Sequence, residues 1–149
     1  MDPTPLGRAE WIRFQALFFG KEESADSLFW QTVKAYEEIK ALTQQVKERP
    51  SVVTEKKYGA VWYLPGGKSY MAHFLEDAGA TVGKEIDQQV GSVGWPFETV
   101  FEKYGDADFW LIKYNRPRDM SYADLKKEYA PYSKFAAYKN RRIYPCHTA

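Results

Sequence analysis

A chain of 149 residues with 44% hydrophobic content is long enough for one domain with a real core. Its 21 basic and 20 acidic residues nearly cancel, so no global charge draws it to nucleic acid or to an anionic membrane surface. Aromatic residues are unusually frequent at 17%, and such side chains combine large apolar area with polar handles that suit either a core or a ligand surface.

The N-terminus, MDPTPLGRAEW, lacks the basic and apolar regions of a secretory signal. Nowhere does the chain approach the roughly 20 consecutive apolar residues of a membrane helix. Thr4 followed by Pro5 is a helix start, with Thr as cap and Pro at the first helical position. Over residues 8–19 the apolar side chains fall on more than one side, with Trp11, Phe14 and Phe18 on one stripe and Ile12 and Phe19 off it. Such a helix is expected to be buried on several faces. Gly20 ends it, and Ser24 or Asp26 is expected to cap the next. There Leu28, Ala35, Ile39, Leu42 and Val46 recur at helical spacing, giving an amphipathic helix of about 23 residues and about 35 Å. Arg49-Pro50 stops it.

From Ser51 the pattern alternates. Residues 51–54 and 60–64 are short β-branched or aromatic runs, and 70–78 reads as a helix closed by Gly79. Thr81-Val82 starts a further strand, and residues 83–94, with three Gly, read as a loop. Pro96 opens a helix to about Tyr104, closed by Gly105. FWLIKY, residues 109–114, is the strongest strand. Residues 122–129 and 132–138 read as short helices separated by Pro131, and 142–145 as a last strand. The single Cys146 excludes an internal disulfide. This alternation predicts an α/β fold, a three-layer α/β/α arrangement with a mostly parallel sheet preceded by long helices. Ligands of such sheets bind beyond the carboxyl ends of the strands, here residues 65–69 and 115–118.

The Gly66-Gly67-Lys68-Ser69 turn lies between a strand and a helix, as a phosphate-binding loop does, but Trp62 occupies the position of that motif's first glycine. Nor does any strand supply a second aspartate-bearing motif. A degenerate nucleotide site, a glycine turn presenting a helix N-terminus to a cleft, and a purely structural turn therefore stay open. His73, His147 and Cys146 are too scattered for a zinc site. Glu76-Asp77 and the Asp106/Asp108 pair carry no mark of a general acid and base, and there is no Gly-x-Ser-x-Gly elbow. Lys139–Arg142 is a short basic cluster on a solvated turn. No catalytic residue, metal site or cofactor is assigned.

The order RAEWIRFQALFFGKEESAD, long helix, ERPSVV, YLPGGKSYMAHFLEDAGA, PFETVFEKYGDADFWLI and NRRIYP resembles the second lobe of the substrate-binding proteins of ABC importers for iron-siderophores, haem and cobalamin. The similarity covers nearly the whole chain and is strongest to the envelope-anchored version of Bacteroidetes. GGKSYMAHFLEDAGA matches the family's turn-helix-AGA pattern, and FETVF with DADFWLI matches its glutamate-bearing helix and following strand.

The resemblance implies residues 1–20 as an interlobe connecting helix and 21–149 as a C-terminal α/β lobe, a piece of a longer two-lobed protein. It implies that Gly66, Gly67, Lys68, Ser69, Tyr70, Trp95, Tyr114, Asn115 and Arg116 face a ligand cleft. Glu98 would pair with the membrane permease, although an acid there also suits a helix N-terminus. The implied partners are an iron-chelate, haem or corrinoid ligand and an ABC permease in the inner membrane, with no nucleic acid. The implied location is the periplasm or cell envelope, with a lipid anchor on the parent protein. Self-association through residues 8–20 is expected if that aromatic helix is bared. The competing readings are a degenerate P-loop nucleotide-binding enzyme and a non-catalytic α/β interaction domain.

Overall fold

The computed structural model describes residues 2–82, 88–115 and 118–147, which form two compact units, Met1–Arg49 with Gly66–Gly91 and Pro50–Pro65 with Ser92–Ala149. The α/β class holds, with one fully parallel sheet.

In the first unit, α1 (Pro5–Ala16) starts as the Thr-Pro pair predicts, the Thr4 hydroxyl accepting from the Gly7 N–H. A single 3-10 turn, Leu17–Phe19, leads to Gly20, whose φ of 60° reverses the chain into α2 (Glu22–Gln44). Ser24 and Asp26 do not cap α2, because the helix begins two residues before Ser24, with Lys21 at the cap position. Asp26 instead accepts from Arg13 Nε at 2.6 Å and ties α2 to α1. α2 ends at Gln44, well before the Arg49-Pro50 stop.

The expectation that α1 is buried on several faces is not met among the described residues. Only Ala16 is buried, while Trp11, Phe14, Leu17, Phe18 and Phe19 are exposed. Trp11, Phe14 and Phe18 pack edge-to-face along the helix at 5.6 and 5.4 Å.

α3 (Tyr70–Asp77) is latched to α2 by its last residue. Asp77 accepts from the Tyr36 hydroxyl at 2.8 Å and pairs with Lys40 at 3.0 Å, and its carbonyl accepts from the Thr43 hydroxyl at 2.7 Å. Burial, and then the bond to Asp77, push the Tyr36 phenol up, so it stays a neutral donor. Gly79 closes the helix in the left-handed region, φ 87°.

In the second unit, β1 (Val52–Thr54), β5 (Phe109–Tyr114) and β6 (Ile143–His147) form a parallel sheet in the order β1-β5-β6. FWLIKY is β5, as its β-branched and aromatic run predicts. A second sheet, β2 (Lys57–Tyr58), β3 (Val61–Pro65) and β4 (Ser92–Pro96), is antiparallel, and two of its strands are not foreseen. Residues 92–94, expected as loop, lie in β4, and Pro96 ends that strand instead of opening α4 (Phe97–Tyr104). Gly94 disguises the strand. A Cβ there would lie 2.8 Å from Val61 Cγ1 and 3.1 Å from the Tyr63 ring, so glycine allows close cross-strand packing. Beyond β5 come α5 (Tyr122–Glu128), a 3-10 helix over Ala130–Lys134 and α6 (Ala136–Lys139). The single helix expected over 132–138 is broken at Phe135, whose ψ of 141° is extended.

The core of this unit is aromatic. Trp62, Trp110, Tyr132 and Phe135 are fully buried. Trp110 lies 5.4 Å from Trp62, 5.3 Å from Tyr132 and 5.0 Å from Phe135. Such rings combine area burial with favourable edge and offset geometry.

Asp108 joins the starts of β1 and β5. Its carboxylate accepts from the Ser51 N–H and hydroxyl, both at 2.8 Å, and these bonds hold its pKa below the usual value. A lowered folded pKa contributes stability that is complete above the unfolded value of about 4. It is lost as pH falls through the folded value. Asp108→Asn should therefore flatten the fall in urea midpoint below about pH 4. An unchanged acid limb would show that the Ser51 bonds do not couple folding to this proton.

Candidate functional site

The Gly-Gly-Lys-Ser turn belongs to the first unit. Three of its four backbone donors are engaged by protein carbonyls: Gly66 N–H to Gly91 at 2.7 Å, Lys68 N–H to Gln89 at 2.9 Å, and Ser69 N–H to Gly66 at 2.9 Å. The Ser69 hydroxyl caps α3 by accepting from Ala72 N–H, and Lys68 Nζ donates to Gln88 Oε1 at 2.7 Å. A phosphate cradle needs those N–H groups converging on open space, and here they do not. The glycine is required by close approach, since Gly66 is not in the left-handed region and a Cβ on it would overlap the Gln89 carbonyl oxygen. Gly66, Gly67 and Ser69 are buried, Lys68 is exposed and Tyr70 half-buried. The Tyr70 ring is covered by the Arg8 guanidinium at 3.9 Å and stacks on Phe74.

The other predicted site residues lie in the second unit. Tyr114 and Asn115 are at the carboxyl end of β5, and Arg116 lies outside the described residues. Asn115 is exposed. The Tyr114 ring is buried, and its hydroxyl donates to Asp119 at 3.0 Å. Trp95 is elsewhere. It pairs in register with Trp62, stacks on Tyr104 at 6.5 Å and lies under Lys103 Nζ. Glu98 is exposed in the first turn of α4.

At the same carboxyl edge as Tyr114, the structure adds a segment that sequence reasoning passes over, residues 55–58, the turn after β1 together with the two residues of β2. Glu55 has φ 62°, a conformation costing a non-glycine residue about 1–2 kcal/mol. Its carboxylate meets Lys113 Nζ at 3.1 Å, joining the ends of β1 and β5. Lys56 pairs with Glu128, Lys57 Nζ lies 4.3 Å from the Tyr129 ring centre, and Tyr58 is 83% exposed. The available signal was positional, because the turn directly follows a parallel strand. It is hidden in sequence because EKKYG reads as an ordinary solvated hairpin.

Among the described residues no three His, Cys, Asp or Glu side chains gather to hold a metal, and no helix is long and apolar enough to cross a membrane. The edge can do recognition, with cations, carboxylates and phenol rings on a fixed backbone.

The fold is shared with known proteins. An uncharacterized lipoprotein of Methanocaldococcus jannaschii is 30% identical over 149 residues, covering 97% of this chain and 34% of the relative. The heme-binding periplasmic protein RhuT of Roseiflexus superposes with TM-score 0.71 at 19% identity, over 92% of this chain and 52% of its own. An ABC-type Fe3+-hydroxamate transport protein of Saccharomonospora viridis gives TM-score 0.70 at 19% identity, over 94% and 47%. The chain thus spans about a third of that relative and about half of those structures. The sequence model described as periplasmic binding protein matches residues 1–149. The chain belongs to the periplasmic binding protein family.

Proposed function

We propose that this chain is the ligand-capturing part of an ABC importer's substrate-binding protein, taking an iron-siderophore, haem or cobalamin-type ligand without chemical change. The observation that carries the reading is the polar and aromatic carboxyl edge of the parallel sheet in a member of this family. The heme and Fe3+-hydroxamate proteins among its structural neighbours support the ligand class. On this reading Tyr114 and Asn115, at the carboxyl end of β5, face the ligand, Glu98 meets the inner-membrane permease, and residues 1–20 connect two lobes. A cell-envelope location follows from the family, and the lipoprotein relative supports a lipid anchor on the parent protein. The nucleotide reading loses support because the N–H groups of Gly66, Lys68 and Ser69 are occupied within the chain.

The test is a titration of intrinsic tryptophan fluorescence with haem, ferric hydroxamate and catecholate chelates, cobalamin and magnesium-ATP. Saturable quenching by at least one of the first four, corrected for absorption, and none by ATP is expected. A folded protein that responds only to ATP, or to none of the five, sinks the proposal.

A further inference from the structure

In the first unit, α1 and the 3-10 turn after it present four rings to solvent. Trp11, Phe14, Phe18 and Phe19 are each between 52% and 75% exposed. Trp11, Phe14 and Phe18 form one edge-to-face row. On the adjoining side Ile12, Gln15 and Phe19 line an open groove of about 340 Å³ with Ala25 and Leu28 of α2. Trp11 and Gln15 lie four residues apart and so are neighbours on the helix surface, which makes row and groove one continuous face.

The area of this face sets the kind of partner it fits. A whole aromatic side chain carries about 150–250 Å², so the four rings alone present about 500 Å². Ile12, Leu17 and Leu28, all exposed, bring the face to about 700–800 Å², the share that one partner gives to a standard-sized protein interface. The largest apolar patch of a typical monomer is about 300–600 Å².

The rim carries both signs of charge. Arg13 pairs with Glu10 at 3.2 Å and with Asp26 at 2.6 Å, and Lys21 precedes Glu22 and Glu23 at the start of α2. A helix that lies on a membrane surface carries an excess of Lys and Arg on its polar face, and this rim has no such excess. A small ligand is fixed by polar groups placed within its pocket, whereas the buried residues of this groove are Ala16 and Ala25. What the face does offer is a knob and a hole of its own. The Phe18 ring is 72% exposed and adjoins Phe19 at the wall of the apolar groove. A second copy of the same surface satisfies both features reciprocally.

We propose that this face is an isologous dimer interface, on which two copies of the chain pack α1 against α1 and each fills the other's groove with Phe18. The inference uses the first unit alone and holds or fails apart from the importer reading.

The test is sedimentation velocity of the full chain across micromolar concentrations, since interfaces of this size bind from micromolar to picomolar. Wild type should form a dimer that dissociates on dilution, and nothing larger. Phe18→Ser combined with Phe19→Ser should weaken association by about tenfold or more. Both rings are exposed in the single chain, so this variant should keep the wild-type circular dichroism, and its urea midpoint at concentrations where wild type is monomeric. Ile39→Ser combined with Leu42→Ser is the control. It removes equally exposed apolar side chains further along α2, away from the groove, and should leave the dimer intact. A wild type that stays monomeric overturns the inference, whether or not it then binds phosphatidylcholine vesicles. Open-ended oligomers, or equal losses in the two double variants, overturn it as well.

Discussion

Trp110→Ala should lower the unfolding free energy by about 3–5 kcal/mol, the range for deleting a buried large aromatic side chain. Three terms act together. The indole fills the space between Trp62, Tyr132 and Phe135, all within 5.4 Å of its centre, so a cavity opens in rigid surroundings. The edge-to-face contact with Tyr132 is lost. The Glu55 carbonyl also loses its donor while Glu55 remains in a strained conformation. Domain stabilities are about 5–15 kcal/mol, so the variant should unfold early in urea and lose near-ultraviolet circular dichroism from the aromatic cluster. Trp30→Ala is the control. That side chain is 58% exposed, and its loss should stay within about 0.5 kcal/mol. Equal midpoints for the two variants would show that the Trp110 cluster does not hold the unit together.

The elements legible in the sequence were those whose own pattern decided them. α2 shows helical spacing over its length, β5 is six residues of strong β-formers, and the Thr4-Pro5 and Gly79 signals mark termini through local chemistry. What escaped depends on partners distant in sequence. β4 exists because Val93 and Trp95 find Leu64 and Trp62 across the ladder, and Gly94 masks that pairing. β2 is two residues long and has no pattern of its own. The helix over 132–138 breaks because Phe135 must point into a core that the sequence does not display. The site divides the same way. Residues 66–70 were visible because Gly-Gly-Lys-Ser is a rare string, yet the string suggested a phosphate cradle that only the positions of Gln89 and Gly91 dissolve. Residues 55–58 carry no rare string. Their place at the carboxyl edge, and the hydrogen bonds from Trp62, Trp110 and Tyr132 that clamp this turn, emerge only in space.

Gly66→Ala should destabilise the first unit by about 1–3 kcal/mol, the cost of overpacking a tight contact. The obstacle is backbone. An added Cβ overlaps the Gln89 carbonyl oxygen and lies 2.7 Å from its carbonyl carbon, so no rotamer change relieves it. Moving the two segments apart stretches the Gly66–Gly91 and Lys68–Gln89 bonds, returning the turn's N–H groups to solvent. Gly91→Ala is the matched comparison, on the other side of the same contact. A Cβ there meets nothing within 4 Å and its φ is not positive. It should be neutral or stabilise by about 0.4–1 kcal/mol through the unfolded chain. The pair separates the two meanings of this turn. If the glycines serve close packing, thermal unfolding distinguishes Gly66→Ala from Gly91→Ala, and magnesium-ATP shifts neither wild type nor variant. If they serve a phosphate, ATP raises the wild-type midpoint and Gly66→Ala abolishes that shift. Only the first outcome fits a turn in which three of four donors already have their acceptors within the chain.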